Sequence, residues 1–209
     1  MTDAPLKRLT PEGPGIDVGL LLAPAMDGDA GETCTRLLTT ANPGRTNVLF
    51  VTTRPADRRV AQFRSHAKAE PNEIAVVALG RAASGAGRPT DPLVTRYATV
   101  GNPSNLTRVG VEVTKVLSDW AAADVDVTVC LDSATALLQY ADERVVFRFL
   151  AELVDRCRRT DAWAHVHLDP AAHEPSTVSS LLQLFDVVVD RTGGYGDEMV
   201  ESLGGEWLE

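Results

Sequence analysis

Apolar residues in this chain gather in short, nearly continuous runs instead of alternating with polar ones. The runs fall at Val18–Ala23, Asn47–Thr53, Ile74–Gly80, Thr128–Asp132, Trp163–Asp169 and Asp186–Asp190, and they are rich in valine and leucine. A strand with one wet face alternates, whereas a strand covered on both faces does not. The six runs therefore predict a mostly parallel sheet with helices on each side. Between them the apolar spacing lengthens to that of helices. Leu106, Val109, Val113, Val116, Leu117 and Trp120 form one stripe, opened by Asn102-Pro103-Ser104-Asn105. Val146, Phe149, Leu150, Leu153 and Cys157 mark a second stripe within Asp142–Arg159, and Ser176–Leu184 reads as a shorter helix. Alternation of strand and helix predicts a three-layer α/β domain.

The punctuation of the chain sets its boundaries. Residues 1–15 read as a flexible tail, residues 16–190 as the α/β domain, and residues 191–209, with their GGYG and GG, as a C-terminal hairpin or an extension of the same domain. Arg81–Pro92, rich in glycine, alanine and proline, reads as a surface loop.

Charge narrows the possible partners. The formal net charge is -9, and 17 arginines stand against three lysines, Lys7, Lys68 and Lys115. That balance argues against nonspecific binding to nucleic acid or to an anionic membrane. An acidic, lysine-poor chain rich in alanine and valine resembles the proteins of salt-loving archaea, where negative surfaces maintain solubility. A mildly acidic protein from a GC-rich genome is the other reading. No apolar stretch approaches the roughly 18 to 20 residues of a membrane span, and the N-terminus lacks the apolar segment of a secretory signal, which points to the cytoplasm. Cys34, Cys130 and Cys157 are widely spaced and form no C-x-x-C motif, so they read as buried small hydrophobes.

Two segments carry candidate chemistry. In VGLLLAPAMDGDAGETCTRLL, Val18–Leu38, a buried strand runs into a loop of small residues, and Gly31-Glu32-Thr33 leads into a helix. Against G-x-x-x-x-G-K-[ST], the second glycine and the hydroxyl are present, Met26 replaces the first glycine, and Glu32 replaces the lysine. In VTVCLDSATALL, residues 127–138, an apolar run ends at Asp132-Ser133, the form of a magnesium-holding aspartate at a strand end. The plainer reading is an aspartate that caps the next helix.

These segments, with NVLFVTTRPADRRVAQFR between them and AWAHVHLDP and FDVVVD after them, resemble in that order the RecA/KaiC-like branch of P-loop proteins, and more narrowly its haloarchaeal RecA-superfamily ATPase-like or Htr-like group. The resemblance covers about residues 16 to 190 and implies a RecA/KaiC-like fold. It implies that Gly28, Gly31 and Thr33 are a vestigial phosphate loop and that Asp132 would hold magnesium if a Mg-nucleotide bound. Relatives place a catalytic glutamate after the second strand, where this chain has Thr52-Thr53-Arg54-Pro55 and no carboxylate until Asp57. Glu32 also sets a negative charge where the lysine would meet phosphate.

The expectation is therefore a non-catalytic regulatory or protein-interaction module on a degenerate ATPase scaffold, with no catalytic residue and no cofactor. The alternative is a divergent ATP-binding protein, with Arg36 or Arg54 replacing the lysine and with ATP and Mg as cofactors. A protein partner or a homo-oligomer fits either reading, since relatives of this fold form rings. His165, His167 and Asp169 alternate and so share a strand face. Without an evident further ligand they read as packing and hydrogen-bonding residues. His66 and His173 read as solvent-facing, and Arg156, Arg158 and Arg159 as complements to a helix C-terminus.

Overall fold

The computed structural model describes residues 18–24, 29–39, 43–81, 88–123, 125–193 and 206–208. Eight strands form one all-parallel sheet: β1 (Val18–Leu22), β2 (Thr46–Thr52), β3 (Glu73–Leu79), β4 (Val94–Val100), β5 (Asp126–Asp132), β6 (Trp163–Leu168), β7 (Val187–Asp190) and β8 (Glu206–Leu208). Their order across the sheet is β4-β3-β2-β5-β6-β1-β7-β8. All six expected strands are present to within two residues. The uninterrupted burial of β1, β2 and nearly all of β3 and β5 accounts for their continuous apolar runs.

Helices α1 (Asp29–Leu38), α2 (Ala56–His66), α3 (Leu106–Ala121), α4 (Ala134–Leu138), α5 (Glu143–Arg159) and α6 (Pro175–Leu182) cover the sheet. On one face, Cys34, Leu37 and Leu38 of α1 and Val60 and Phe63 of α2 pack over Leu21, Val48, Phe50, Cys130 and Trp163. On the other, the predicted stripes of α3 and α5 are buried as whole sets, from Leu106 to Trp120 and from Val146 to Cys157. Burying one such side chain contributes about 1.5–3 kcal/mol relative to leaving it in water. Asn105 starts α3 by accepting a hydrogen bond from the Arg108 N–H at 3.1 Å. Arg156, Arg158 and Arg159 occupy the last turn of α5, as the sequence suggests.

Two elements differ from the sequence reading. β4 was hidden because it lies at the sheet edge, where only its end residues Val94 and Val100 are buried and the five between them are partly or fully exposed. Helix α1 begins at Asp29, so Gly31-Glu32-Thr33 lies within its first turn and does not lead into it. The tail 1–15 and Gly28 fall outside the described residues, as does most of 191–209, of which Glu206–Leu208 runs parallel to β7. Among the described residues, no helix is long and apolar enough to cross a membrane.

Candidate functional site

The order of strands opens a cleft at their C-terminal ends. From β2 the chain crosses to β3 through α2 on one face, while from β5 it reaches β6 through α5 on the other. The loops after adjacent β2 and β5 therefore diverge, and a crevice forms where they part. Its volume is about 410 Å³, and Gly31, Arg54, Arg59, Asp132, His167 and Asp169 are among its lining residues.

Asp132 is the last residue of β5, and its side chain does not cap the following helix. That role falls to Ser133, whose hydroxyl accepts from the Ala136 N–H at 3.2 Å. The Asp132–Ser133 peptide bond is cis. Asp132 is 4 % exposed, and its carboxylate is held by two guanidinium groups. Arg54 Nε stands 3.1 Å from Oδ2, and Arg59 Nε stands 3.7 Å away, close enough for an ion pair but too long for a hydrogen bond.

Arg59 is 2 % exposed, among the most buried side chains of its size in the protein. Its guanidinium lies 4.3 Å from the centre of the Phe50 ring, and Nη2 donates to Cys34 Sγ at 2.7 Å and to Cys130 Sγ at 3.4 Å. Nε and Nη1 have no hydrogen-bond partner among the described residues. Burial disfavours the Arg59 cation, but Cys34, Cys130 and Asp132 outweigh it and raise its pKa.

Beneath Arg59 lies a cluster that the sequence did not announce. Parallel pairing sets Cys130 opposite His165, and the strand period of two brings His167 to the same face. Cys34 comes down from α1 onto that face. The two Sγ atoms are 3.6 Å apart, His165 Nε2 lies 3.1 Å from Cys34 Sγ, and the two histidine Nε2 atoms lie 3.2 Å apart. Cys34, Cys130 and His165 are at most 1 % exposed.

The electrostatics separates the two thiols. Burial pushes Cys34 up, but the hydrogen bond from Cys130 and the nearby Arg59 cation outweigh it and leave its pKa lowered. Burial and the hydrogen bond with Cys34 both push Cys130 up, so Cys34 ionises first. Burial lowers the pKa of His165 and keeps the ring neutral.

The candidate phosphate-loop residues are dispersed. Gly31 lines the cleft, and a Cβ there would lie 2.3 Å from Gln62 Nε2, the flexible end of a side chain on α2. Thr33 is buried and Glu32 is exposed, and neither lines the cleft. Arg54 does line it; Arg36 does not. His66 is exposed, whereas His173 is half-buried, with Nε2 3.2 Å from Thr135 Oγ1.

One sequence expectation needs correction and one needs an addition. All three cysteines are buried in the core as expected, but Cys34 and Cys130 also meet Arg59 and the two histidines. His165 and His167 do have further potential ligands, and these are the two thiols. Positions 34, 130, 165 and 167 form no local motif; only the alternation in HVH hinted at the site.

None of the curated proteins matches this chain. The model of a family of unknown function, DUF7504, matches residues 19–190, a span that includes every residue of the cleft and the cluster, and the chain belongs to that family.

Proposed function

We propose that this chain is a non-catalytic regulatory or protein-interaction module built on a degenerate RecA/KaiC-like ATPase scaffold, acting in the cytoplasm of a halophilic archaeon in signalling or gene regulation. The observation that carries the reading is the pairing of Asp132 with Arg54 and Arg59. A carboxylate held by two cations is a poor site for magnesium, because the ion would have to displace one guanidinium and sit beside the other. The exposed Glu32 supports the same reading, since it places no donor toward a phosphate. A protein partner, or a second copy of the chain, is the ligand class it implies.

A divergent nucleotide binder is the second reading, and the position of Arg54 in the cleft wall favours it. Titration of the full chain with a fluorescent ATP analogue and Mg²⁺ in multimolar KCl separates the two. Under the first reading neither the wild type nor Glu32→Lys binds at micromolar concentration, because residue 32 faces away from the cleft. Saturable binding with phosphate release by the wild type overturns it.

A further inference from the structure

We propose that Cys34, Cys130, His165 and His167 form a closed tetrahedral site for a zinc-class divalent cation, buried at the floor of the cleft. The inference goes beyond the non-catalytic reading and does not rest on it.

The geometry is the first support. Zinc bonds of about 2.3 Å to sulfur and about 2.0–2.1 Å to imidazole nitrogen fix the edges of a tetrahedron: about 3.8 Å between sulfurs, about 3.3–3.4 Å between nitrogens, and about 3.6 Å between sulfur and nitrogen. The corresponding separations here are 3.6 Å for Cys34–Cys130, 3.2 Å for His165–His167 and 3.1 Å for Cys34–His165. All four ligand atoms lie within 4.8 Å of one another. The three measured edges depart from those of a zinc tetrahedron by about 0.5 Å or less, and the other three lie within the 4.8 Å that encloses all four donors.

The chemistry of the donors is the second support. Two thiols and two imidazoles suit a borderline-soft ion and are a poor set for magnesium or calcium, which take oxygen ligands. Four protein donors leave no open position for water or substrate, so the site is structural. Binding releases the thiol protons as the two Zn–S bonds form. The two thiolate charges then cancel those of the ion, and Arg59 balances Asp132 beside it. Arg59 Nη2, already directed at both sulfurs, serves as their outer-shell hydrogen-bond donor. The surroundings also provide an entry path. Cys34 and His167 line the cleft, while Cys130 and His165 lie behind them with no exposure.

The site would tie α1 to the middle of the sheet. Cys34 is the sole ligand from a helix, and the other three come from the adjacent strands β5 and β6.

The test uses the full chain, reduced, stripped with chelator and kept in high KCl, then titrated with Co²⁺ and Zn²⁺. The expected result is one Co²⁺ per chain, with intense tetrahedral ligand-field bands and thiolate charge transfer, both bleached by one equivalent of Zn²⁺. Cys130→Ser and His167→Ala are expected to bind at least tenfold more weakly, and Cys157→Ser to bind like the wild type. Circular dichroism identifies any variant that fails to fold, and the wild-type cobalt spectrum decides the question even then. A reduced wild-type chain that takes up no metal overturns the proposal. So does an octahedral cobalt spectrum, or unchanged affinity in folded Cys130→Ser and His167→Ala. Mg-ATP turnover would sink the non-catalytic reading and leave this site untouched.

Discussion

Cys130 on β5 and His165 on β6 stand directly opposite each other in the parallel register. A slip of one residue would turn one of them to the far face and dismantle the cluster. Parallel pairing likewise sets Thr52 opposite Asp132 and Leu21 opposite His167, so the strand register places two of the cleft's lining side chains, Asp132 and His167.

Arg59 ties that arrangement together, and its loss has a definite expected cost. Arg59→Met leaves Asp132 with Arg54 alone and Cys34 without its cation. We expect a loss of roughly 3 kcal/mol, at the low end for breaking a buried pair because Arg54 remains. The double variant Arg59→Met/Asp132→Asn is expected to lose less than the single one, since it removes the stranded charge as well. Denaturant midpoints measure both, and a single variant within about 0.5 kcal/mol of wild type would refute the assignment.

Gly31 is expected to show a background-dependent sign. Alanine is favoured over glycine inside a helix by about 1 kcal/mol, but its methyl group would collide with Gln62. Gly31→Ala should therefore gain little or lose stability in the wild type and gain about 1 kcal/mol in a Gln62→Ala chain. Equal effects in both backgrounds would show that Gln62 is not what keeps position 31 small.

Burial pushes the Cys157 thiol up to about 12, against the weaker opposing pull of Arg156. The thiolate is the reactive form, so native Cys157 should resist iodoacetamide at pH 8 and label only in denaturant. Peptide mapping by mass spectrometry reads this directly. Labelling of the folded chain at the rate of a free thiol would contradict it.

His173 supplies a pH dependence. Burial holds it below its ordinary value of 6.5, against the pull of Asp169 and Glu143. Between the folded value and 6.5 the unfolded chain binds more protons, so stability rises with pH in that window. It should fall as the pH drops below 6.5 and level off once the folded ring is protonated. His173→Gln should flatten this part of the curve of melting temperature against pH. An unchanged slope would mean that other groups account for it.

Much of the fold could be read from the sequence because its strongest signals are long and periodic. The stripes of α3 and α5 and the continuous runs of the central strands come from complete burial. α2 escaped notice because Arg59 interrupts an otherwise apolar face of Ala56, Val60 and Phe63. α4 spans only five residues, too few to show a period. For the site, Asp132 was found because it ends an apolar strand. The partners of Cys34 could not be found, since strand order and register decide which distant residues meet, and neither is written in local spacing.

Cys34 meets Cys130 across 96 residues and His165 across 131. Bringing such distant residues together costs loop-closure entropy that the isolated contacts do not repay. The unfolded polypeptide therefore holds no preassembled version of the cluster. A species that binds the assembled cluster more tightly than the separate cysteines and histidines of the unfolded chain stabilises the whole domain by the difference between those two affinities.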